Sequence, residues 1–525
     1  MLSLLLAAPF VAALVCVLGS GRDGFAATRL ALVMSVVIAG LAGVVAINGA
    51  TPVDMPWFTL WGTGATVHFS LLGDGISAWM ALLALGLGPA AILASRVSLG
   101  DKMREFCAGL FALQGCLVGA FLAGDVVQFY FFFEAGLLPM AVLLAMFGDP
   151  EHRRQATMQF FLYTMLGSIL MLVAIWYLAA HGQSTLISDL PATVAGLSPT
   201  ARTACFAAFA LAFAVKTPLM PFHSWQAPVY AACPAGAAVV LAGAMAKLGT
   251  YGFLRLVVPV FPEASAQYAW VFILLGVIGV VLGALMALAQ RDLKRMLAFS
   301  SLSHLGLVVI GIFTFENAGL DGAVVQMVAH GLSVGALFLL IGVLEGRTGL
   351  RDIDAFGAVA GRAPVYAVLF VCAALAAVAL PGTAGFVGEV MLLYGTFSGL
   401  MACCGLTGAI VVTLLAGSSL IFGAGYVLRA TQRLLYGNKP EPGGARMSEI
   451  TGAEGTAVGV LLVATLVLGL LPSLITGRSA ETTHALGAGA RAARVVACGT
   501  DGCCVLPGPG PAEPVVMVKE ADDAE

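Results

Sequence analysis

Long apolar runs alternate with short polar links along roughly the first 475 residues of the chain. The runs fall at about 1–20, 29–48, 73–95, 105–123, 126–147, 157–180, 203–225, 233–256, 267–289, 294–314, 320–345, 364–398, 406–430 and 455–475. A helix needs roughly 20 residues to cross ~30 Å of hydrocarbon, so the pattern predicts about fourteen transmembrane helices. Two runs are unusual. The seventh carries Pro218 and Pro221, and the twelfth, too long for one plain crossing, is interrupted at Pro381-Gly382-Thr383-Ala384-Gly385. Broken backbone at membrane depth is tolerated only inside protein or beside a wet cavity. Residues 1–20 lack a positive leading segment and are followed by Arg22 and Arg29, so they read as a first crossing and not as a signal peptide.

The two interruptions lie five runs apart, which points to an internal duplication. An odd number of crossings per unit turns the second copy upside down, the plan of transporters whose sites sit at discontinuous helices. The predicted fold is therefore an all-α polytopic membrane protein with two inverted five-helix repeats, each containing one broken helix. It divides into a three-helix segment (1–100), a first repeat (101–256), a second repeat (257–435), a loop and last crossing (436–480), and an extramembrane, disordered tail (481–525).

Composition supports a membrane setting: of 525 residues 60% are apolar and 10% charged, where a soluble domain carries about 25% charged. A net charge of −3 without a basic stripe gives no footing for nucleic acid. Numbering links by the runs they join, 1–2, 3–4, 5–6, 9–10, 11–12 and 13–14 hold 17 of the 25 Lys and Arg, whereas the other links hold only Arg202 and Arg255. The basic face is expected to be cytoplasmic, with both termini on the periplasmic side of a bacterial inner membrane. None of the eleven cysteines has metal-site spacing, and most read as small apolar filler. Cys498, Cys503 and Cys504 leave two readings open, a disulfide in an oxidising compartment or a dispensable tail.

Charge inside the apolar runs is the candidate chemistry. Lys216 ends the run Phe206–Val215 and directly precedes Thr217-Pro218; Glu134, Lys247 and Glu389 lie within other runs. A central Lys costs roughly 2.5–3.5 kcal/mol on insertion scales, so it needs a partner or a task. Glu134 with Lys216 fits either a static pair that joins helices or a switch. Two charges ~4 Å apart at an effective dielectric near 20 interact by about 4 kcal/mol, and moving one charge against ~150 mV costs about 3.5 kcal/mol. Opening and closing one pair is thus the right size to move one proton. His304, Gln326, His330 and Ser333 add groups that order water for proton hopping, Gln326 and His330 sharing a helix face. The competing reading is interhelical hydrogen bonding, worth about 0.6–2 kcal/mol per bond. His223 either joins the relay or caps the broken helix.

Five segments carry a family resemblance: Ala214-Val-Lys-Thr-Pro-Leu-Met-Pro-Phe-His-Ser-Trp225, Leu241-Ala-Gly-Ala-Met-Ala-Lys-Leu-Gly-Thr-Tyr-Gly-Phe-Leu-Arg255, Ser301-Leu-Ser-His-Leu-Gly306, Gln326-Met-Val-Ala-His-Gly-Leu-Ser333 and Leu380-Pro-Gly-Thr-Ala-Gly-Phe-Val-Gly-Glu389. Together they resemble the antiporter-like membrane subunits of respiratory complex I (NADH:quinone oxidoreductase). The L and N branches and the Mrp-type antiporters resemble one another in having Lys where Glu389 stands; the M branch, matching mitochondrial subunit 4, has Glu. The resemblance implies a proton channel, with Glu134 and Lys216 as switch, Lys247 as central relay, His304 and His330 as connections and Glu389 leading to the exit. It also implies a translocase subunit without a redox centre of its own, with NADH, FMN, iron–sulfur clusters and quinone in partner subunits and L- and N-type chains beside it. One departure stands out: after Trp225 the family usually reads Leu-Pro-Asp-Ala-His, whereas here the chain reads Gln226-Ala-Pro-Val-Tyr230. The cytoplasmic end of the seventh crossing is therefore expected to be rearranged. Alternatives are an Mrp-type cation/proton antiporter, a membrane subunit of a related hydrogenase complex, and a scaffold or membrane enzyme using its histidines with a metal. The last is weakened because His304 and His330 lie on different crossings, without a carboxylate or Cys at ligand spacing.

Overall fold

The computed structural model describes residues 1–19, 24–437 and 447–498. Ten of its helical segments are long and apolar enough to cross a membrane. Two of these, Gly75–Leu122 and Ala384–Tyr436, each contain two crossings. Leu2–Leu18 adds the first crossing, and the broken helix Pro199–Lys216 with Gln226–Ala232 adds the seventh. The sum is the expected number, about fourteen. Both interruptions are present. The twelfth crossing stops at Ala377 and resumes at Ala384. The link between crossings twelve and thirteen shrinks to a sharp reversal at Gly405, whose φ of 67° suits glycine. Leu393 and Gly417, equally far from that turn in sequence, face one another across it.

Helix starts are written locally. Asp74 accepts from the Ser77 amide at 3.0 Å, and Asp125 accepts from the Val127 and Gln128 amides at 2.8 and 3.2 Å. Thr451 and Glu454 form a reciprocal capping box at the last crossing. The helices carrying Lys247 and His304, Ala235–Val260 and Leu293–Phe313, are buried throughout their apolar windows. The sixth crossing, by contrast, exposes Leu166 and Val173 outward. Apolar side chains facing outward suit lipid or a packed partner rather than water, and the helices carrying Lys247 and His304 lie behind such crossings.

Two features differ from the sequence reading. The link 49–72 folds into a hairpin, β1 (Val53–Thr59) with β2 (Thr66–Leu71), paired antiparallel from Val53↔Leu71 to Thr59↔Thr66. Its amides at His68 and Ser70 donate to the side chains of Asp125 and Gln128, so the fifth crossing holds it in place. The segment expected to be a disordered tail from 481 onward is helical as far as Cys498, within Ser473–Cys498. That helix is too polar to span, yet it buries Ile475, Ser479, Thr483 and Ala490. It seals carbonyls at the end of the tenth crossing, Arg494 donating to Thr314 O at 2.7 Å and Arg491 to Phe315 O at 2.9 Å. Thr483 and His484 both bond Asp321. Arg22, Lys439, Arg446, Cys503 and Cys504 lie outside the described residues.

Candidate functional site

Lys247 sits between two π-helical turns, Leu241–Met245 and Phe253–Val257. Such turns shift hydrogen bonding by one residue and recur at functional sites. Here the shift gives the Ala242 carbonyl a new partner, the Lys247 ammonium at 2.5 Å. The second partner of Nζ is His330 Nδ1 at 2.7 Å. This approach needs closely packed helices: a side chain on Gly331 would meet Gly243 O at 2.6 Å. The His330 and His304 rings stand 5.3 Å apart, and His304 Nδ1 lies 3.1 Å from Glu389 Oε1. Gln326 Nε2 donates to the same carboxylate oxygen at 3.3 Å. Lys247, His330, His304, Gln326 and Glu389 therefore form one buried cluster that joins the eighth, tenth, eleventh and twelfth crossings.

Lys216 and Glu134 are not in direct contact. No ion pair within 4.0 Å links them, although each acts on the other electrostatically. The Lys216 ammonium instead stands over the Phe133 ring, 4.6 Å from its centroid. It has no hydrogen-bond partner, and neither does Glu134 Oε1. Removing a cation from water without a partner is costly, and an aromatic face returns only about 2 kcal/mol of that. The arrangement is that of an open pair. Lys216 ends its half-helix, and Thr217 lies against Gly249 of the helix carrying Lys247. At the break, the His223 side chain interacts with the Pro221 backbone while its Nδ1 is without a partner, and its carbonyl accepts from Gln226 N at 3.0 Å. The altered segment 226–232 forms a regular short helix.

Two clusters were not singled out in the sequence. On the basic face, Arg351 contacts Asp292 at 2.6 Å, Asp149 at 3.1 Å and Glu345 at 3.6 Å, and donates to Ala231 O at 2.9 Å. The buried Lys294 pairs with Glu345 at 2.6 Å and donates to Cys233 O at 3.0 Å. Two cations from the second half thus cap the C-terminal carbonyls of Gln226–Ala232, where the helix dipole favours positive charge. Burial opposes ionisation of Asp149, but the Glu151 amide and Arg351 outweigh it and hold the carboxyl below the usual carboxylate range. Glu345→Ala is expected to cost about 2–3 kcal/mol, less than the 3–5 of a fully buried pair because Glu345 is 29% exposed. The check is a lower midpoint for thermal inactivation of the assembled complex. On the opposite face, Arg255 pairs with Asp74 and donates to Ser77 Oγ at 3.0 Å and Tyr251 Oη at 3.2 Å. A lone Arg at a crossing's end was the available signal; its partner lies 181 positions away.

Among the described residues, no three His, Cys, Asp or Glu side chains converge as a metal site would require. Residues 123–430 match the family described as NADH:quinone oxidoreductase/Mrp antiporter, TM. The chain is 36% identical over 501 residues to NADH-quinone oxidoreductase subunit M of Rhodobacter capsulatus, covering 91% of this chain and 94% of the relative. It superposes on a chain of respiratory complex I from Thermus thermophilus with a TM-score of 0.81 and 29% identity, over 93% of this chain and 100% of the other. A chain of the Mrp complex from a Dietzia species shares the fold alone, with a TM-score of 0.76 and 21% identity over 94% of this chain and 97% of the other. With more than half its length matched by the family and a relative at this identity over nearly all of it, the chain belongs to the NADH:quinone oxidoreductase/Mrp antiporter transmembrane family.

Proposed function

We propose that this chain is a proton-translocating membrane subunit of a bacterial NADH:quinone oxidoreductase, of the subunit M type. Protons move through Glu134, Lys216, Lys247, His330, His304 and Glu389, driven by quinone reduction in other subunits. The observation that carries this reading is the continuous buried line from Lys247 through His330 and His304 to Glu389, with separations of 2.7, 5.3 and 3.1 Å. Each member can gain or lose a proton, and the line crosses from one repeat into the other. Lys216, open to Glu134 and packed beside the helix of Lys247, is placed to start or stop the transfer. NADH, FMN, iron–sulfur clusters and quinone belong to partner subunits in this reading. L- and N-type chains flank this one, the basic face is cytoplasmic, and both termini are periplasmic.

An Mrp-type exchanger is the second reading, favoured only by the shared fold. Vesicles containing the assembled complex separate the two. The proposed subunit acidifies the lumen only with NADH and quinone present and stops when quinone reduction is inhibited. Sodium–proton exchange by the chain without an electron donor would overturn the proposal.

A further inference from the structure

At the basic face the ninth crossing (Pro262–Leu288) ends, the tenth (Leu293–Phe313) begins, and the thirteenth runs out to Tyr436. With the short turn Ile353–Ala355 these ends enclose a cavity of about 210 Å³. Its rim sets Arg291, Arg429 and Arg433 against one acid, Asp354. Arg433 contacts one oxygen of that carboxylate at 2.5 Å, and Arg291 approaches the other at 3.6 Å. Among the described residues Arg429 meets no carboxylate within 4.0 Å; it donates to Leu288 O at 3.3 Å. Capping the end of the ninth crossing accounts for the position of that one guanidinium. Three positive charges against one negative still leave the rim with a surplus of two.

Toward the membrane the wall turns apolar. The ninth and thirteenth crossings pack side by side and both end at the basic face, and the bond from Arg429 to Leu288 O sets their level. Counting back from it, Leu285 and Leu282 share one face of the ninth crossing, and Leu428, Gly425 and Ile421 one face of the thirteenth. All five are exposed. Gly425 stands beside Leu288, whose side chain is the nearest thing a Cβ there would meet, at 4.0 Å. The missing side chain leaves a groove between the two rows. Six residues separate Leu288 from Leu282 and eight separate Arg429 from Ile421, so at 1.5 Å per residue the groove descends about 9–12 Å into the apolar layer. The inner side of the cavity is lined by the buried Tyr426, whose hydroxyl donates to Ser300 Oγ at 2.7 Å.

We propose that this site binds an anionic phospholipid of the leaflet at the basic face, its phosphate held by Arg429, Arg433 and Arg291 and one acyl chain laid in the groove of Leu282, Leu285, Gly425 and Leu428. Guanidinium groups match phosphate oxygens with pairs of parallel N–H donors. Basic pockets between crossings at this membrane face recognise anionic headgroups. A free phosphate would satisfy the rim alone. The exposed leucines that continue from it into the apolar layer select a ligand with both a phosphate and a hydrocarbon chain. The site stands on charge and membrane depth and is independent of the proton-translocation reading.

The test uses the assembled complex in detergent with a phosphatidylglycerol that carries a photoreactive group on one acyl chain, the labelled peptides being read by mass spectrometry after illumination. Label is expected within 282–291 or 421–433, to be competed away by unlabelled phosphatidylglycerol, and to persist in phosphatidylcholine or in inorganic phosphate. Arg429→Gln is expected to raise the phosphatidylglycerol needed for half-competition about fivefold, the ~1 kcal/mol of one basic side chain at an anionic surface. Arg429→Lys, which keeps the charge, restores most of it. NADH:quinone turnover at the wild-type rate in both variants shows that the complex is assembled. Gly425→Leu, which fills the groove and leaves the rim intact, is expected to lower labelling as well. Equal displacement by phosphatidylcholine, or unchanged competition in Arg429→Gln, overturns the charge-selective site. Displacement by inorganic phosphate overturns the lipid in favour of a free anion, and absence of label from both segments in the wild-type complex overturns the site altogether, as when a partner chain covers this face.

Discussion

Lys216→Ala is expected to abolish proton transport through this subunit, by about a hundredfold or more, while the complex still assembles and reduces quinone. Folding is not the obstacle, since removing a mid-membrane Lys relieves roughly 2.5–3.5 kcal/mol on insertion scales. The more informative substitution is Lys216→Arg. A guanidinium keeps the positive charge and the aromatic contact with Phe133, but it does not give up its proton. If Lys216 only holds helices together, arginine restores wild-type behaviour. A switch that must release its proton is lost in both variants. The open geometry favours the switch, because a static glue would show Lys216 closed on Glu134, whereas the ammonium and Glu134 Oε1 both lack hydrogen-bond partners. Proton transport at the wild-type rate in Lys216→Arg would sink the switching role.

Glu389→Gln is the second large effect, with proton transport falling by about tenfold or more. The amide matches the carboxylate in shape and still offers an oxygen to Gln326, now 3.3 Å away. What it lacks is a site for a transferable proton. Glu389 is 2% exposed, and its Oε2 is without a partner while Oε1 faces His304. A carboxylate held this way can take a proton from one side and release it on the other. Glu389→Asp retains that chemistry but draws the group back from His304 by about one bond length, ~1.5 Å, and should fall between wild type and Gln. The measurement is lumen acidification per NADH oxidised. A Gln variant that matches wild type would place the exit elsewhere.

The hydrophobic pattern was enough to read the number of crossings and the two interruptions, and to set Glu134, Lys216, Lys247 and Glu389 inside apolar runs. Each of these depends only on counting residues along a helix of fixed rise, and the cost of charge in hydrocarbon makes Lys216, Lys247 and Glu389 visible in any apolar run. The hairpin at 53–71 was missed because a short two-stranded ribbon between helices carries no apolar run of its own. The part of the helix Ser473–Cys498 from 481 onward was read as tail because its composition is too polar for a crossing, and only docking on other helices gives its apolar stripe something to cover. Partnership was the other gap. No partner could be assigned to Lys247 from the sequence, and in the structure it meets His330, 83 positions away. Arg255 with Asp74, and Arg351 with Asp149 and Asp292, are likewise distant in sequence. The chain alone thus determined where along its crossing each of the four charges Glu134, Lys216, Lys247 and Glu389 lies. Which groups face one another was decided by the rotation and close approach of whole helices, at glycines such as Gly243 and Gly331, and that is a property of the packed bundle.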